Sequence, residues 1–326
     1  MKQFQYVRPA NQQGVLAAIA QPGTKIIAGG SNLVDLMKHG VMSPDKLVDI
    51  NKLPLRNISG TAGGLHIGAL ALNSQVAEDQ QVKNKFPLLS QALNAGASAQ
   101  LRNMATVGGN MMQRTRCPYF YDTTMPCNKR APGTGCGAKE GFNRMHAIFG
   151  FSDKCIAVHP SDMCVALAAL DATVTIQGRK GTRQLKFTDF HRLPGTTPEL
   201  DNNLAKDELI TGVDIPNNNF AQHSYYLKVR DRASYAFALI SVAAALDIQN
   251  GIIRDARLAM GGVAHKPWRL TAAEQLLKGK PATVANFEQA AQVAMQGAKA
   301  FKDNAFKLQM APASITEALT HAAGLA

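Results

Sequence analysis

Four of the five cysteines in this chain fall within one stretch, at Cys117, Cys127, Cys136 and Cys155. Their intervals are C-x9-C-x8-C-x18-C, and Pro and Gly recur between them. This density of Pro and Gly excludes a long helix and a regular strand, so we expect a loop much longer than an ordinary connection. A loop of that length needs a bound group to hold its shape. Four thiolates on such a loop suit a metal ion or an iron–sulphur cluster.

The cysteine spacing leaves the nature of this site open. The intervals are wider than the paired C-x2-C knuckles of a zinc ribbon, and they differ from the short ferredoxin spacings. An alternative is a pair of disulfides stapling an exported domain. The fifth cysteine, Cys164, lies among apolar residues in a helical pattern, MCVALAALDA, where we predict a buried structural thiol.

Two glycine pairs indicate a nucleotide site. In residues 24–40, TKIIAGGSNLVDLMKHG, a short strand leads through Gly29 and Gly30 into a helix, with Ser31 or Asn32 as the N-cap. Backbone N–H groups in such a turn form a nest that suits phosphate. Residues 105–110, ATVGGN, predict a second glycine turn. Neither segment is G-x-G-x-x-G and the ribose-binding acid of that fold has no counterpart, so an ordinary Rossmann NAD site is excluded.

Composition predicts a globular protein of two or three domains. The chain has 326 residues, 46% hydrophobic and 18% charged, with a formal net charge of +12. The basic residues are scattered, which favours acidic ligands and subunit docking over nucleic acid. The longest apolar run, residues 235–246, is too short to span a bilayer. We expect no export signal in this chain, because the N-terminal residues lack an apolar region and a twin-arginine pair.

The remaining pattern predicts alternating strands and helices. Expected strands are residues 2–8, 25–28, 46–50, 65–70, 173–177, 183–187 and 208–215, and expected helices are residues 11–20, 86–99, 271–278, 284–298 and 314–323. Ser161 or Asp162 should cap the helix that contains Cys164. Asn250 and Gly251 predict a hairpin turn between two late strands.

The segments IIAGGSNLVDLMK, ATVGGNMMQ, ELITGVDIP and KVRDR together resemble the FAD-binding subunits of the molybdenum hydroxylases, over almost the whole chain. The insertion between Cys117 and Cys155 is similar to family members whose flavin subunit carries an extra [4Fe–4S] cluster, above all periplasmic aldehyde oxidoreductases. The resemblance implies an α+β chain. An FAD-binding domain of two α/β subdomains, like that of vanillyl-alcohol oxidase, would span residues 1–55 and 56–218, with the iron–sulphur loop inserted at 114–158. A C-terminal α+β domain, like that of CO dehydrogenase flavoprotein, would span residues 219–326.

The resemblance also implies which residues meet the cofactors. It puts Ser31, Asn110 and Gln113 on the phosphates or ribityl chain and Asp162 on ribityl or ribose hydroxyls. Ile210 would lie against the isoalloxazine ring, with Lys228 and Arg232 near its polar edge. The cluster ligands would be the four loop cysteines. The full predicted FAD set is Ile26, Ile27, Ala28, Gly29, Gly30, Ser31, Asn32, Leu33, Thr106, Gly108, Gly109, Asn110, Gln113, Asp162, Ile210, Lys228 and Arg232.

The function implied is electron transfer within a heterotrimer. A large molybdenum-cofactor subunit would oxidise an aldehyde to the carboxylic acid, and a small [2Fe–2S] subunit would relay electrons to FAD. No residue of this chain is expected to act on the substrate. Alternatives are a flavin subunit of the xanthine, CO or hydroxybenzoyl-CoA type with a zinc or disulfide-stapled loop, or a basic, nucleic-acid-directed zinc protein. We expect this chain to be located in the periplasm and to be exported there in the folded state, together with a partner subunit that bears the signal. The alternative location is the cytoplasm.

Overall fold

Three β-sheets organise the chain, and the computed structural model describes all residues from Met1 to Ala326. The strands are β1 Gln5–Val7, β2 Thr24–Ile27, β3 Lys46–Asp49, β4 Ile58–Thr61, β5 Gly64–Gly68, β6 Thr173–Gly178, β7 Gly181–Lys186, β8 Leu209–Pro216, β9 Ser224–Val229, β10 Ile240–Gln249, β11 Ile252–Gly261 and β12 Trp268–Arg269. The helices are α1 Gln12–Ile19, α2 Leu33–Lys38, α3 Asn73–Glu78, α4 Gln80–Lys85, α5 Pro87–Ala95, α6 Ala99–Arg102, α7 Val107–Met111, α8 Pro118–Tyr121, α9 Gly137–Glu140, α10 Asp162–Ala169, α11 Phe187–Phe190, α12 Thr271–Leu277, α13 Val284–Ala294 and α14 Lys307–Ala322.

The first sheet is parallel, with the order β1-β3-β2. Asn11 caps α1 by accepting a hydrogen bond from the Gly14 N–H at 2.9 Å. The predicted strand, glycine turn and helix of residues 24–40 are confirmed as β2 and α2. Because β2 and β3 are parallel, the chain after β2 turns away at the carboxyl edge of the sheet, where ligands of α/β sheets bind.

The second sheet is antiparallel, with the order β4-β5-β8-β6-β7. The predicted hairpin between β6 and β7 is confirmed. Helix α10 is buried along its whole length, and Ser161 caps it by accepting from the Cys164 N–H at 3.1 Å. This cap fixes the start of α10, and so the place where Asp162 lies.

The third sheet, β12-β11-β10-β9, is antiparallel and buried on both faces. Ala243 and Ala245 of β10 pack into the core of the second sheet, whereas Val242 and Ala244 pack under the C-terminal helices. This two-sided burial explains why β10 reads as a continuous apolar run rather than an alternating strand. The turn between β10 and β11 is the predicted Asn-Gly hairpin, with φ of 52° at Asn250 and 75° at Gly251.

Three sequence predictions of local structure are wrong. The helix predicted over residues 86–99 is shorter, because α5 ends at Gly96. The predicted second glycine turn is the helix α7, because Thr106 accepts from the Gly109 N–H at 3.2 Å and so starts a helical turn. Helix α14 begins at Lys307 rather than at residue 314 and carries Pro312 inside it.

Domain organisation follows the sheets. The first sheet comprises residues 5–49, the second residues 58–216 and the third residues 224–269, so no sheet crosses the predicted boundaries at 55/56 and 218/219. The boundaries themselves stay predictions. No helix is both long and apolar enough to cross a lipid bilayer.

Candidate functional site

The turn after β2 offers a row of free hydrogen-bond donors. The backbone N–H groups of Gly29, Gly30, Ser31 and Asn32 donate to no protein acceptor. Gly30 adopts a φ of +73°, which favours glycine and turns consecutive N–H groups toward one side. The amide Nδ2 of Asn32 is buried and also lacks a partner. Unpaired backbone donors at the start of a helix, with the buried Asn32 amide beside them, suit an anionic ligand such as a pyrophosphate.

In the second glycine segment, in contrast, backbone N–H groups already donate hydrogen bonds to protein acceptors. The Gly108 N–H donates to the Ala69 carbonyl at 2.8 Å, and the Asn110 N–H donates to the Thr106 carbonyl at 2.8 Å. Helix α7 and its cap already use these backbone N–H groups, and contact of residues 108–110 with FAD stays a prediction. The side chains of Asn110 and Gln113 remain as the polar groups that this segment offers.

The two glycine segments lie directly against each other. A Cβ at Gly29 would overlap the Met104 carbonyl oxygen, just before the second segment. The Asn32 Oδ1 accepts from the Arg114 N–H at 3.0 Å, which ties the first segment to the chain leading into the cysteine loop. Although they are far apart in sequence, the two segments thus form one continuous surface.

Asp162 belongs to a buried polar network rather than to an open surface. The Tyr226 hydroxyl donates to Asp162 Oδ1 at 2.8 Å, and the Lys228 ammonium donates to Oδ2 at 2.8 Å. Ser161, which precedes Asp162, donates through Oγ to Asn110 Oδ1 at 2.6 Å. Lys228 thus contacts Asp162 directly, and Asn110 contacts Ser161, the N-cap of α10 that precedes Asp162. One network therefore connects three residues that are predicted to bind FAD.

The other predicted FAD residues are more scattered. Ile210 is 5% exposed and packs in the core of the second sheet, where it pairs with Ile176 across β8 and β6. Arg232 is exposed and donates to the Tyr235 carbonyl at 3.1 Å. Contacts of these residues with FAD stay predictions.

A cleft of about 140 Å³ opens beside Asp162, between the cysteine loop, the start of α10 and the third sheet. Its walls include Arg116, Cys117, His146, His159 and Phe237. Burial lowers the pKa of the Arg116 guanidinium, which lies against the Phe237 ring at 5.1 Å from its centroid. The cleft therefore offers a partly enclosed place, with a cation in its wall, for part of a ligand.

The four loop cysteines surround one small cavity. Cys117, Cys127, Cys136 and Cys155 all line it, together with Thr115, Tyr119, Phe120 and Lys129 among others. All four thiols are free, so the structure contains no disulfide between them. Two one-turn helices, α8 and α9, are the only helices in this loop, which confirms that it lacks a long helix. Thr115 and Cys117 also line the cleft beside Asp162, so the two cavities share a wall.

The cysteine cavity is wider than the coordination sphere of a single ion. A tetrahedral zinc ion bound by thiolates holds its sulphur atoms about 3.8 Å apart. No three of the four loop sulphurs lie within 4.8 Å of one another. Burial raises the pKa of the Cys117 thiol to about 12 and that of Cys155 to about 11. Thiols this basic stay protonated until a metal displaces the proton.

The loop is fastened to the body of the protein by a buried ion group. Lys129, 1% exposed in its side chain, donates to Asp201 Oδ1 at 2.5 Å, and Arg114 donates to Oδ2 at 2.6 Å. Although burial opposes it, attraction to these two cations lowers the pKa of Asp201 to about 2. Asp201 therefore remains ionised at neutral pH. It binds Arg114, just before the first loop cysteine, and Lys129, just after the second.

Cys164 lies apart from this cavity, as predicted. It is fully buried in α10, and burial raises its pKa to about 12. Its sulphur lies within 4.8 Å of ring nitrogens of His159 and His191, whose pKa values burial lowers. These three groups are therefore neutral at pH 7. Cys164 and His191 pack in the core, and His159 also lines the cleft beside Asp162.

Sequence reasoning missed several residues of the cleft. Arg116 could have been found, because it directly precedes the first loop cysteine. His146 and Phe237 carry no local signal, since a lone histidine in a loop and a lone aromatic after a strand are common. Only the fold brings them beside Cys117 and Asp162.

Comparison with known proteins gives a consistent result. Residues 2–218 match the model of the FAD binding domain in molybdopterin dehydrogenase, and residues 225–321 match that of the CO dehydrogenase flavoprotein C-terminal domain. The chain is 48% identical to the aldehyde oxidoreductase FAD-binding subunit PaoB of Escherichia coli, over 99% of both chains. It is 31% identical to the glyceraldehyde dehydrogenase medium chain of Sulfolobus acidocaldarius, over 85% of this chain and 82% of that one.

Solved structures share the fold. Quinoline 2-oxidoreductase from Pseudomonas putida superposes with a TM-score of 0.77 at 26% identity, over 99% of this chain and 98% of that one. Carbon monoxide dehydrogenase from Hydrogenophaga pseudoflava superposes with a TM-score of 0.78 at 23% identity, over 99% and 98%. The predicted mixed fold with a separate C-terminal flavoprotein domain is confirmed.

Proposed function

This chain belongs to the FAD-binding medium subunits of the molybdenum hydroxylases, an oxidoreductase family, and we propose that it is the electron-transfer subunit of an aldehyde oxidoreductase. In this proposal a large molybdenum-cofactor subunit oxidises an aldehyde. The aldehyde and one water molecule give a carboxylic acid, two protons and two electrons. A small [2Fe–2S] subunit passes the electrons to this chain, which delivers them to an external acceptor. The three subunits form a heterotrimer.

Support for the aldehyde substrate comes from the relatives. The relative at 48% identity is named for aldehyde oxidation and the one at 31% for glyceraldehyde oxidation. By comparison, the xanthine dehydrogenase FAD-binding subunit of Escherichia coli is 26% identical. The chain itself contributes no substrate-oxidising residue in this proposal.

The residues fit FAD in two ways. The free N–H groups after β2, with the unpaired Asn32 amide, would hold the pyrophosphate. The cleft beside Asp162 would receive a further part of the cofactor, where Arg116 supplies positive charge. Lys228 neutralises Asp162, so the ribityl side of the cleft carries no unpaired carboxylate. Bound FAD supplies two-electron uptake, and the residues described here bind it and exclude water from it.

We further propose that Cys117, Cys127, Cys136 and Cys155 hold a [4Fe–4S] cluster, which supplies one-electron chemistry. The observation that carries this proposal is the convergence of all four free thiols on one buried cavity. Their sulphurs are spaced too widely for a single zinc ion, and none is paired in a disulfide. Buried Lys129 beside the cavity would offset the negative charge of four thiolates.

The optical spectrum of the purified complex tests the proposed function. We expect flavin bands over a broad iron–sulphur absorption, and we expect anaerobic addition of an aldehyde to bleach the flavin bands within one turnover. Xanthine should leave the spectrum unchanged. A colourless protein, or a flavin that xanthine reduces and aldehydes do not, would contradict the proposal.

We also propose that the chain reaches the periplasm already folded, carried by a partner subunit with an export signal. The proposed cluster supports this route, because its four cysteine ligands must bind it before the chain meets an oxidising compartment that would pair them in disulfides. Deleting the signal of the partner should leave this chain in the cytoplasmic fraction, still loaded with flavin. If the chain still appears in the periplasm, carriage by that partner is excluded.

A further inference from the structure

One loop cysteine has a histidine in hydrogen-bonding contact with its sulphur. The His146 Nε2 lies 3.1 Å from the Cys117 Sγ, and the His146 side chain is buried. Cys117 is also the cysteine that lines both the cysteine cavity and the cleft, and His146 lines the cleft as well. The contact therefore lies in the wall between the two cavities.

The C-terminal domain fixes the position of this histidine. The His146 carbonyl accepts from Asn304 Nδ2 at 3.1 Å and from Lys307 Nζ at 2.9 Å, and both donors are fully buried. Lys307 also donates to the Gly262 carbonyl at 2.7 Å, at the end of β11. A lysine buried in this way orders the backbone of a loop residue, which helps to explain why α14 begins at Lys307.

The chemistry of the pair decides the direction of the hydrogen bond. A thiolate that binds a metal has no proton, so it can only accept a hydrogen bond. His146 must then carry its proton on Nε2, which leaves Nδ1 bare. That nitrogen is buried without a partner, which costs less for a bare ring nitrogen than for an unpaired N–H group. The cysteine loop thus contains a built-in donor for one of its four sulphurs.

We propose that His146 is a positioning residue that donates its Nε2 proton to the Cys117 sulphur and thereby raises the reduction potential of the metal group held by the four cysteines. This inference rests on the proposed function. Hydrogen bonds to ligand sulphur withdraw negative charge and favour the reduced state of an iron–sulphur group. The bond reaches Cys117, the loop cysteine that also lines the cleft, and a more positive potential favours the reduced state of the whole metal group.

Two substitutions separate the hydrogen bond from the packing of the side chain. His146→Gln keeps an N–H donor at nearly the same reach, whereas His146→Leu keeps the bulk and removes the donor. A matched control is His265→Leu, because His265 is buried and neither of its ring nitrogens has a partner. His265 lines neither cavity.

The measurement is a redox titration of the purified complex, followed by low-temperature EPR, with iron and flavin determined on the same sample. We expect His146→Leu to shift the midpoint potential of the iron–sulphur signal that the loop cysteines give to a more negative value and to alter its line shape. His146→Gln should recover most of the potential, and His265→Leu should match the wild type. Loss of the signal in His146→Leu with retention in His146→Gln would also support the donor role.

Two results would overturn the inference. One is an unchanged potential in His146→Leu with full iron content. The other is an equal loss of the signal in both His146 variants, which would assign the residue to packing. A wild-type complex without a four-iron signal would instead contradict the proposed cluster itself, so the two failures are distinguishable.

Discussion

Changing any one of Cys117, Cys127, Cys136 or Cys155 to serine is expected to abolish most of the iron bound by this subunit. All four thiols face one cavity in a loop with little regular structure, so the bound group and the loop hold each other in place. Assembly of the complex should weaken as well. The measurement is iron per flavin in the purified complex, corrected for the iron of the small subunit.

Cys164→Ala serves as the matched control. Cys164 is a buried cysteine of the same chain, but it lies in α10 and outside the cavity. Its replacement should leave iron and flavin near the wild-type level and lower the free energy of unfolding by only about 1 kcal/mol. Normal iron in any of the four loop variants, or lost iron in Cys164→Ala, would show that the ligand set is wrong.

Gly29→Val is expected to remove most of the flavin from the complex while its iron remains. A Cβ at Gly29 would overlap the carbonyl oxygen of Met104, so the whole turn after β2 must move. That turn carries the free N–H groups that would hold the pyrophosphate. Gly109→Val should lose less flavin, because its Cβ would meet only the Thr106 hydroxyl, at 2.9 Å.

Gly63→Val is the control for the flavin measurement. Gly63 lies in the turn between β4 and β5, where a Cβ meets nothing within 4 Å. Flavin per complex, released by denaturation and measured by fluorescence, should be near normal in this variant. Full flavin in Gly29→Val would mean that the turn after β2 serves the fold alone.

Local sequence patterns predicted those features that depend on local physics. The strand, turn and helix of residues 24–40 and the Asn250-Gly251 hairpin are correct, because positive φ at glycine and asparagine is decided within a few residues. The prediction that residues 117–155 form a loop is correct for the same reason, because Pro and Gly determine the backbone conformation at their own positions. The family resemblance, in turn, supplied the three-part fold.

Features that depend on tertiary contacts could not be predicted. The pair Gly108-Gly109 reads as a turn, but the Thr106 cap and the hydrogen bond to Ala69 make it helical. The pattern predicts a helix from residue 314, yet α14 begins at Lys307, includes Pro312 and packs against the third sheet. The contact of His146 with Cys117 joins two residues of one loop that nothing in their spacing connects.

Low-temperature EPR of the dithionite-reduced complex tests the central claim most directly. The account predicts a four-iron signal in addition to the two-iron signals of the small subunit, and it predicts that this signal disappears in Cys136→Ser and persists in Cys164→Ala. A wild-type complex that shows only two-iron signals, with zinc or a disulfide in this loop, would contradict it.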